Sequence, residues 1–158
     1  MDPARRNAWI VAAFAAALDL AAVVCAWGFV SLLTDAEVIA SPDAGRLVGP
    51  AAVGASVGAV LLTLARTLRR PERLWPSVVL SAVWSWIALV GVAAIGYGIA
   101  TGTLLAALIF GVGLGIGWFG LLIPAVAALV ASFAVLVARG RSSGMARPRW
   151  PWERDDEE

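Results

Sequence analysis

Between two long apolar stretches the chain reads Arg66-Thr67-Leu68-Arg69-Arg70-Pro71-Glu72-Arg73. An excess of arginine and lysine in a short loop sets membrane orientation, so this loop is expected on the cytoplasmic side. Everything before it must then leave and return across the bilayer, and so must everything after it. The expected fold is an all-α membrane protein: a four-helix transmembrane bundle, N-in/C-in, in the inner (cytoplasmic) membrane.

Composition supports a lipid environment. Apolar residues make up 61% of the 158, against about 45–50% in soluble domains. At about 20 residues per span the length allows four or five helices. There is no histidine, which removes the commonest general base and metal or haem ligand. The single cysteine, Cys25, permits no disulfide within one chain and no thiolate metal cluster. It reads as a small buried apolar residue.

Residues 1–8 form a polar cytoplasmic N-terminus carrying Arg5 and Arg6. The apolar run from Trp9 to Leu33, broken by Asp19, exceeds the about 7–15 residues of a signal-peptide core. It is read as a retained first span. Residues 34–46 hold Asp35, Glu37 and Asp43 with a single arginine, and are expected outside. The second span is read at about 47–68 and the third at about 74–97.

The apolar stretch from Thr103 to Ala138 would exceed 50 Å as one helix, at about 1.5 Å per residue. A turn near Gly117 could make five spans and put the C-terminus outside. Alternatively the last span is 118–138, and 103–117 is an additional outer or re-entrant segment. Charge favours the second: with four spans every arginine but Arg46 lies inside. Aromatic residues agree. Trp9 to Trp27 is about 27 Å, Trp75 to Tyr97 about 33 Å and Trp118 to Arg139 about 32 Å as helices, each about one bilayer crossing. Trp84 and Trp86 fall near mid-span. In 103–117, Gly111/Gly115 and Gly113/Gly117 are small-xxx-small pairs suited to close packing, or the glycines form a bend. No phosphate loop is implied, since no Lys-Ser/Thr ending follows.

Asp19 is the one ionisable residue inside a span, about 15 Å beyond Trp9. A charge there is costly, so it should face protein or water. Ala8, Ala12, Ala15, Ala16, Ala22 and Ala26 share its helix face at 100° per residue, while Phe14, Leu18, Leu20 and Val24 lie elsewhere. At matching depth stand Ser56 on the second span and Ser85 on the third, the latter in a stripe with Ser77 and Ser81. The indole of Trp84 is a further donor. This candidate intramembrane polar site is either a proton-titrating or cation-binding centre, or an un-ionised acid hydrogen-bonded to a serine and holding helices in register.

Residues 139–158 form a cytoplasmic tail, basic and then acidic, expected to be disordered. Arg139 and Arg141, with Arg66, Arg69, Arg70 and Arg73, should meet anionic headgroups at about 1 kcal/mol each. Trp150 and Trp152 flank Pro151, an extended segment suited to the interface or to partner docking. The motif Arg147-Pro148-Arg149-Trp150-Pro151-Trp152-Glu153, behind an Ala/Val/Gly-rich four-helix region, resembles an uncharacterised actinobacterial family of small integral membrane proteins. That resemblance implies no activity. An acid midway along the first of four helices is also similar in layout to the small multidrug resistance transporters. Their acid is a glutamate, and their chains are shorter and lack the long tail.

The expected function is that of a non-enzymatic accessory or scaffold component of a membrane complex. Its expected partners are the lipid bilayer, a membrane protein or a second copy of the chain. The alternative is an oligomeric proton-coupled transporter or channel component using Asp19. Neither cofactor nor metal is expected. Nucleic acid is not an expected partner, because topology already explains the arginines and no aromatic residues interleave them. An intramembrane aspartyl protease would need a second acid at depth. The topology has a direct check. In intact cells an impermeant thiol reagent should modify Asp43→Cys and spare Asp156→Cys. Modification at position 156 would instead establish five spans.

Overall fold

The computed structural model describes residues 3–35, 45, 47–69 and 74–142. Arg70, Arg73, Trp150, Trp152 and most of the 34–46 connection lie outside the described residues, as does the side chain of Arg141. The described chain is helical: α1 Pro3–Thr34, α2 Val48–Thr67, α3 Leu74–Thr101, α4 Leu104–Ile116 and α5 Trp118–Ser142. Four of these are long and apolar enough to cross a membrane, and α4 is a shorter apolar helix.

Local chemistry explains the boundaries. Pro3 opens α1 at a position where its missing N–H costs nothing, so the helix starts six residues before Trp9. Pro50 and Pro76 likewise fall in the first turns of α2 and α3, where backbone N–H groups have no intrahelical acceptor. Asp35 leaves α1 with φ 54°, and Gly102 turns the chain between α3 and α4 with φ 69°. Aspartate and glycine are the residues that visit this left-handed region at least cost.

Around the bundle the order is α1, α2, α3, α5, with α4 packed outside on α3 and touching α5. Two apolar clusters fill the interior. One joins Ala8, Ala12 and Ala15 to Val60, Leu64 and Leu68 and to Val130, Ala134 and Val135. The other joins Val23 to Val48, Ala52 and Val53, to Leu89 and Ala93, and to Ile123. The first therefore unites the start of α1 with the ends of α2 and α5. Arg5, Arg6, Arg66, Arg69 and Arg139 all stand at that end of the bundle. Outside, Phe14, Val24, Phe29, Leu62, Ile95, Leu129 and Phe133 are exposed, an apolar exterior matched to lipid. Cys25 corrects one expectation: it is exposed and free. It lies two residues past buried Val23, about 200° around the helix. An apolar side chain there carries no penalty once the surrounding solvent is hydrocarbon.

The Gly-rich segment is a helix that doubles back along α3. Its 13 residues span about 20 Å, short of a hydrocarbon core of about 30 Å. Gly111 and Gly115 are buried, and they set the distance between the helices. A Cβ on Gly111 would stand 2.8 Å from that of Ala94; one on Gly115 would stand 2.5 Å from Val90 Cγ2 and 3.2 Å from Trp86. Gly113 points away, with nothing within 4 Å. Of the two small-xxx-small pairs, Gly111/Gly115 makes the contact. Gly117 breaks the helix with φ −63° and ψ 161°.

Past the break, Gly120 lies directly against the backbone of Leu114 and Gly115. Gly120→Ala is therefore expected to cost about 1–3 kcal/mol, the range for overpacking. Gly113→Ala has open space and should be neutral, or stabilise by up to about 1 kcal/mol. Unfolding of the two variants in detergent, followed by circular dichroism, checks the contrast.

Candidate functional site

The two apolar clusters leave a layer between them, and every helix that enters it brings a polar side chain or a small one. On α1 the layer falls between Ala15 and Val23, at Asp19, which is 2% exposed. On α2 it falls between Val53 and Val60, at Ser56; on α3 it holds Ser81 and Ser85, short of Leu89. Ser77 lies one turn nearer the arginine end, and all four serines are buried. The alanines below Asp19 are buried too, which lets α1 approach α2 and α5 closely. Ala22 and Ala26 are only half-buried.

The hydrogen bonds differ from the expected ones. Ser56 Oγ donates to Val53 O at 2.8 Å, and Ser85 Oγ donates to Ala82 O at 2.9 Å. Both hydroxyls thus spend their proton on their own helix, a common resort for serine inside helices. Asp19 Oδ1 and Ser81 Oγ are buried without a hydrogen-bond partner. Asp19, Ser56 and Ser85 are all buried, but the Asp19–serine hydrogen bond is not formed with Ser56 or Ser85. Ser81, which belongs to the same stripe, is the serine whose oxygen stays uncommitted.

Trp84 is a correction as well. It is 52% exposed on the outside of α3, so it is no donor to Asp19. Its neighbour Trp86 turns inward, and Nε1 donates to Gly115 O at 3.0 Å. From α1, Trp27 Nε1 donates to Phe119 O at 3.0 Å, with its ring edge-on to that of Phe119 at 6.0 Å. These indoles hold the carbonyls around the α4–α5 break, and Pro124 in α5 removes one more donor just beyond it. Tyr97 stacks on Phe110 at 4.4 Å and joins α3 to α4. Sequence reasoning treated Trp27 and Tyr97 as interface markers only. The signal it missed was the need of a broken helix for outside donors.

Of the arginines expected to meet headgroups, Arg66 and Arg69 are exposed at the end of α2, and Arg139 lies in the last turns of α5. A groove of about 380 Å³ between α1 and α5 is lined by Ile10, Phe14, Leu18, Phe133 and Val137. It is apolar.

A family model described as a family of unknown function (DUF6121) matches residues 1–158. The chain belongs to that family. No curated protein and no solved structure matches it. Family membership agrees with the expectation of an uncharacterised domain and assigns no activity, so any function must be argued from the residues.

The tryptophans allow a controlled test. Trp86→Phe leaves Gly115 O without its donor and is expected to cost about 0.6–2 kcal/mol, the range for interhelical hydrogen bonds in membranes. Trp84→Phe breaks no such bond and should stay within about 0.5 kcal/mol. Equilibrium unfolding in mixed micelles measures both.

Proposed function

We propose that the chain is a non-enzymatic accessory or scaffold component of a membrane complex, and that its partner docks on α3 at Trp84. The observation that carries this reading is the exposed indole. Trp84 lies nine residues beyond Trp75, about 14 Å along the helix, so it faces outward at mid-depth rather than at an interface, where tryptophan is favoured. Its N–H has no acceptor among the described residues, and a buried or lipid-facing indole ordinarily finds one. A partner helix with a free carbonyl or hydroxyl supplies both the acceptor and the cover. Val83, Ile87 and Leu80 beside it are exposed and apolar, as a helix–helix contact requires.

The buried polar groups support a holding role over a chemical one. Among the described residues they are one carboxyl group and four hydroxyls, and a hydroxyl needs an adjacent base before it acts as a nucleophile. The arginines gathered at one end favour an orientation with that end, and both termini, on the cytoplasmic side of the inner membrane. There Arg66, Arg69 and Arg139 meet anionic headgroups. A second reading, a proton-coupled transporter or channel component, is favoured by the unpartnered Asp19 Oδ1.

Affinity purification from native membranes in mild detergent, with mass spectrometry, tests the first reading. Wild type should carry a membrane protein in fixed ratio, and Trp84→Leu should lose it while keeping the wild-type unfolding midpoint. Equal recovery with both chains would remove Trp84 from the interface. The second reading predicts a proton flux in vesicles bearing a pH gradient, present in wild type and absent in Asp19→Asn. Such a flux would displace the scaffold role.

A further inference from the structure

We infer that the groove between α1 and α5 binds an anionic phospholipid, with one acyl chain in the groove and the phosphate at Arg6 by its mouth. The two helices pack against each other, and the start of α1 meets the end of α5. Ala15 and Ala134, both buried, form the floor of the groove. Phe14 and Leu18 rise on one side of it, Phe133 and Val137 on the other. Small residues beneath large ones thus make the hollow of about 380 Å³. Phe14 is 74% exposed, so the groove opens sideways, toward the surrounding hydrocarbon.

Length separates an acyl chain from a partner helix as the occupant. From Ile10 to Leu18 the groove follows α1 for about 12 Å. That is close to one leaflet, half of a hydrocarbon core of about 30 Å. A helix crossing the bilayer would need cover over the whole core, whereas one acyl chain needs a single leaflet. Charge separates an anionic lipid from a neutral one. Arg6 is exposed one turn before Ile10, and α5 carries Arg139 and Arg141 just beyond Val137. Among the described residues the acids are Asp19, at mid-span, and Asp35, past the far end of α1. Neither balances the arginine end, and a phosphate matches the planar fork of arginine. A second groove on the same seam is lined by Val30, Trp118 and Leu122. It lies at the opposite end, where the described residues include no arginine, and no headgroup preference is expected there. The site stands independently of the partner surface at Trp84 and of which side of the membrane the arginine end faces.

The test uses the full chain in mild detergent, supplied with phosphatidylglycerol and phosphatidylethanolamine of identical acyl chains. Native mass spectrometry counts the lipid retained. Wild type should hold one phosphatidylglycerol per chain in preference to phosphatidylethanolamine. Arg6→Gln should lower that preference about fivefold, the factor for one arginine at an anionic surface, and Arg66→Gln on α2 should lower it less. Phe14→Ala removes a wall and should reduce retention of both lipids. Phe29→Ala, exposed on α1 outside the groove, should retain them as wild type does. Should Phe14→Ala fail to fold, the two arginine variants decide alone. Equal retention of the two lipids by wild type, or equal losses in Arg6→Gln and Arg66→Gln, would overturn the proposal in favour of diffuse adsorption. Retention unchanged in Phe14→Ala, or a dimer of the chain that Phe14→Ala dissociates, would overturn it by giving the groove to a second copy or to nothing.

Discussion

Hydrocarbon offers a backbone carbonyl no partner, and the rest of this structure follows from how the chain meets that constraint. Continuous helices satisfy themselves, which is why four of the five can be long, Ala- and Val-rich and otherwise plain. The break at Gly117 is met partly by the backbone, since Gly117 N–H donates to Gly113 O and Gly117 O accepts from Leu121 N–H. Trp86 from α3 adds a donor to Gly115 O in the last turn of α4, and Trp27 from α1 adds one to Phe119 O. Both indoles need their helices close to the break. Gly111, Gly115 and Gly120 provide that closeness by leaving no Cβ in the way. The packing of α4 and the hydrogen bonding of the break are therefore one arrangement.

The same constraint shapes the interior. Ser56 and Ser85 bond to carbonyls of their own helices, so they can be buried without needing a neighbour. An ionised Asp19 has no such option, because a carboxylate only accepts and its own helix presents no free N–H at mid-span. Its placement on an alanine face draws α1 against α2 and α5 and excludes lipid from the carboxyl group. Small residues and the acid belong together: the first give the close contact that the second needs.

Much of this was legible in the chain. Hydropathy and arginine spacing gave the four long helices, and a period of 3.6 put Asp19 on the alanine face with Phe14, Leu18 and Val24 elsewhere. Counting residues from the ends brought Ser56 and Ser85 to the depth of Asp19. What depth could not give was direction around the third helix. α3 carries one serine stripe in an otherwise apolar surface, and Trp84 and Trp86 flank Ser85 on opposite sides, so nothing in its pattern said that Trp86 faces inward and Trp84 outward. Hydroxyl direction was equally hidden, because serine bonds to its own helix as readily as to a neighbour. Cys25 shows the remaining limit: in lipid an apolar residue is as content outside as inside, and burial cannot be read from polarity. The 103–117 segment was ambiguous for a plain reason of length, being too long for a loop and too short for a span.

That length has a consequence for biosynthesis. A segment of 13 residues, with glycine at alternate positions in its second half, lacks the hydrophobic reach to stay in the bilayer as an independent span. Its lodging depends on a groove that does not exist until α3 is in place, and on an indole that α3 carries. The turn at Gly102 keeps the two helices adjacent in the chain, so α3 and α4 can enter together as a hairpin. The shortness of one helix thus ties its placement to its neighbour, and the α4–α5 junction is where a misplaced α4 would first show.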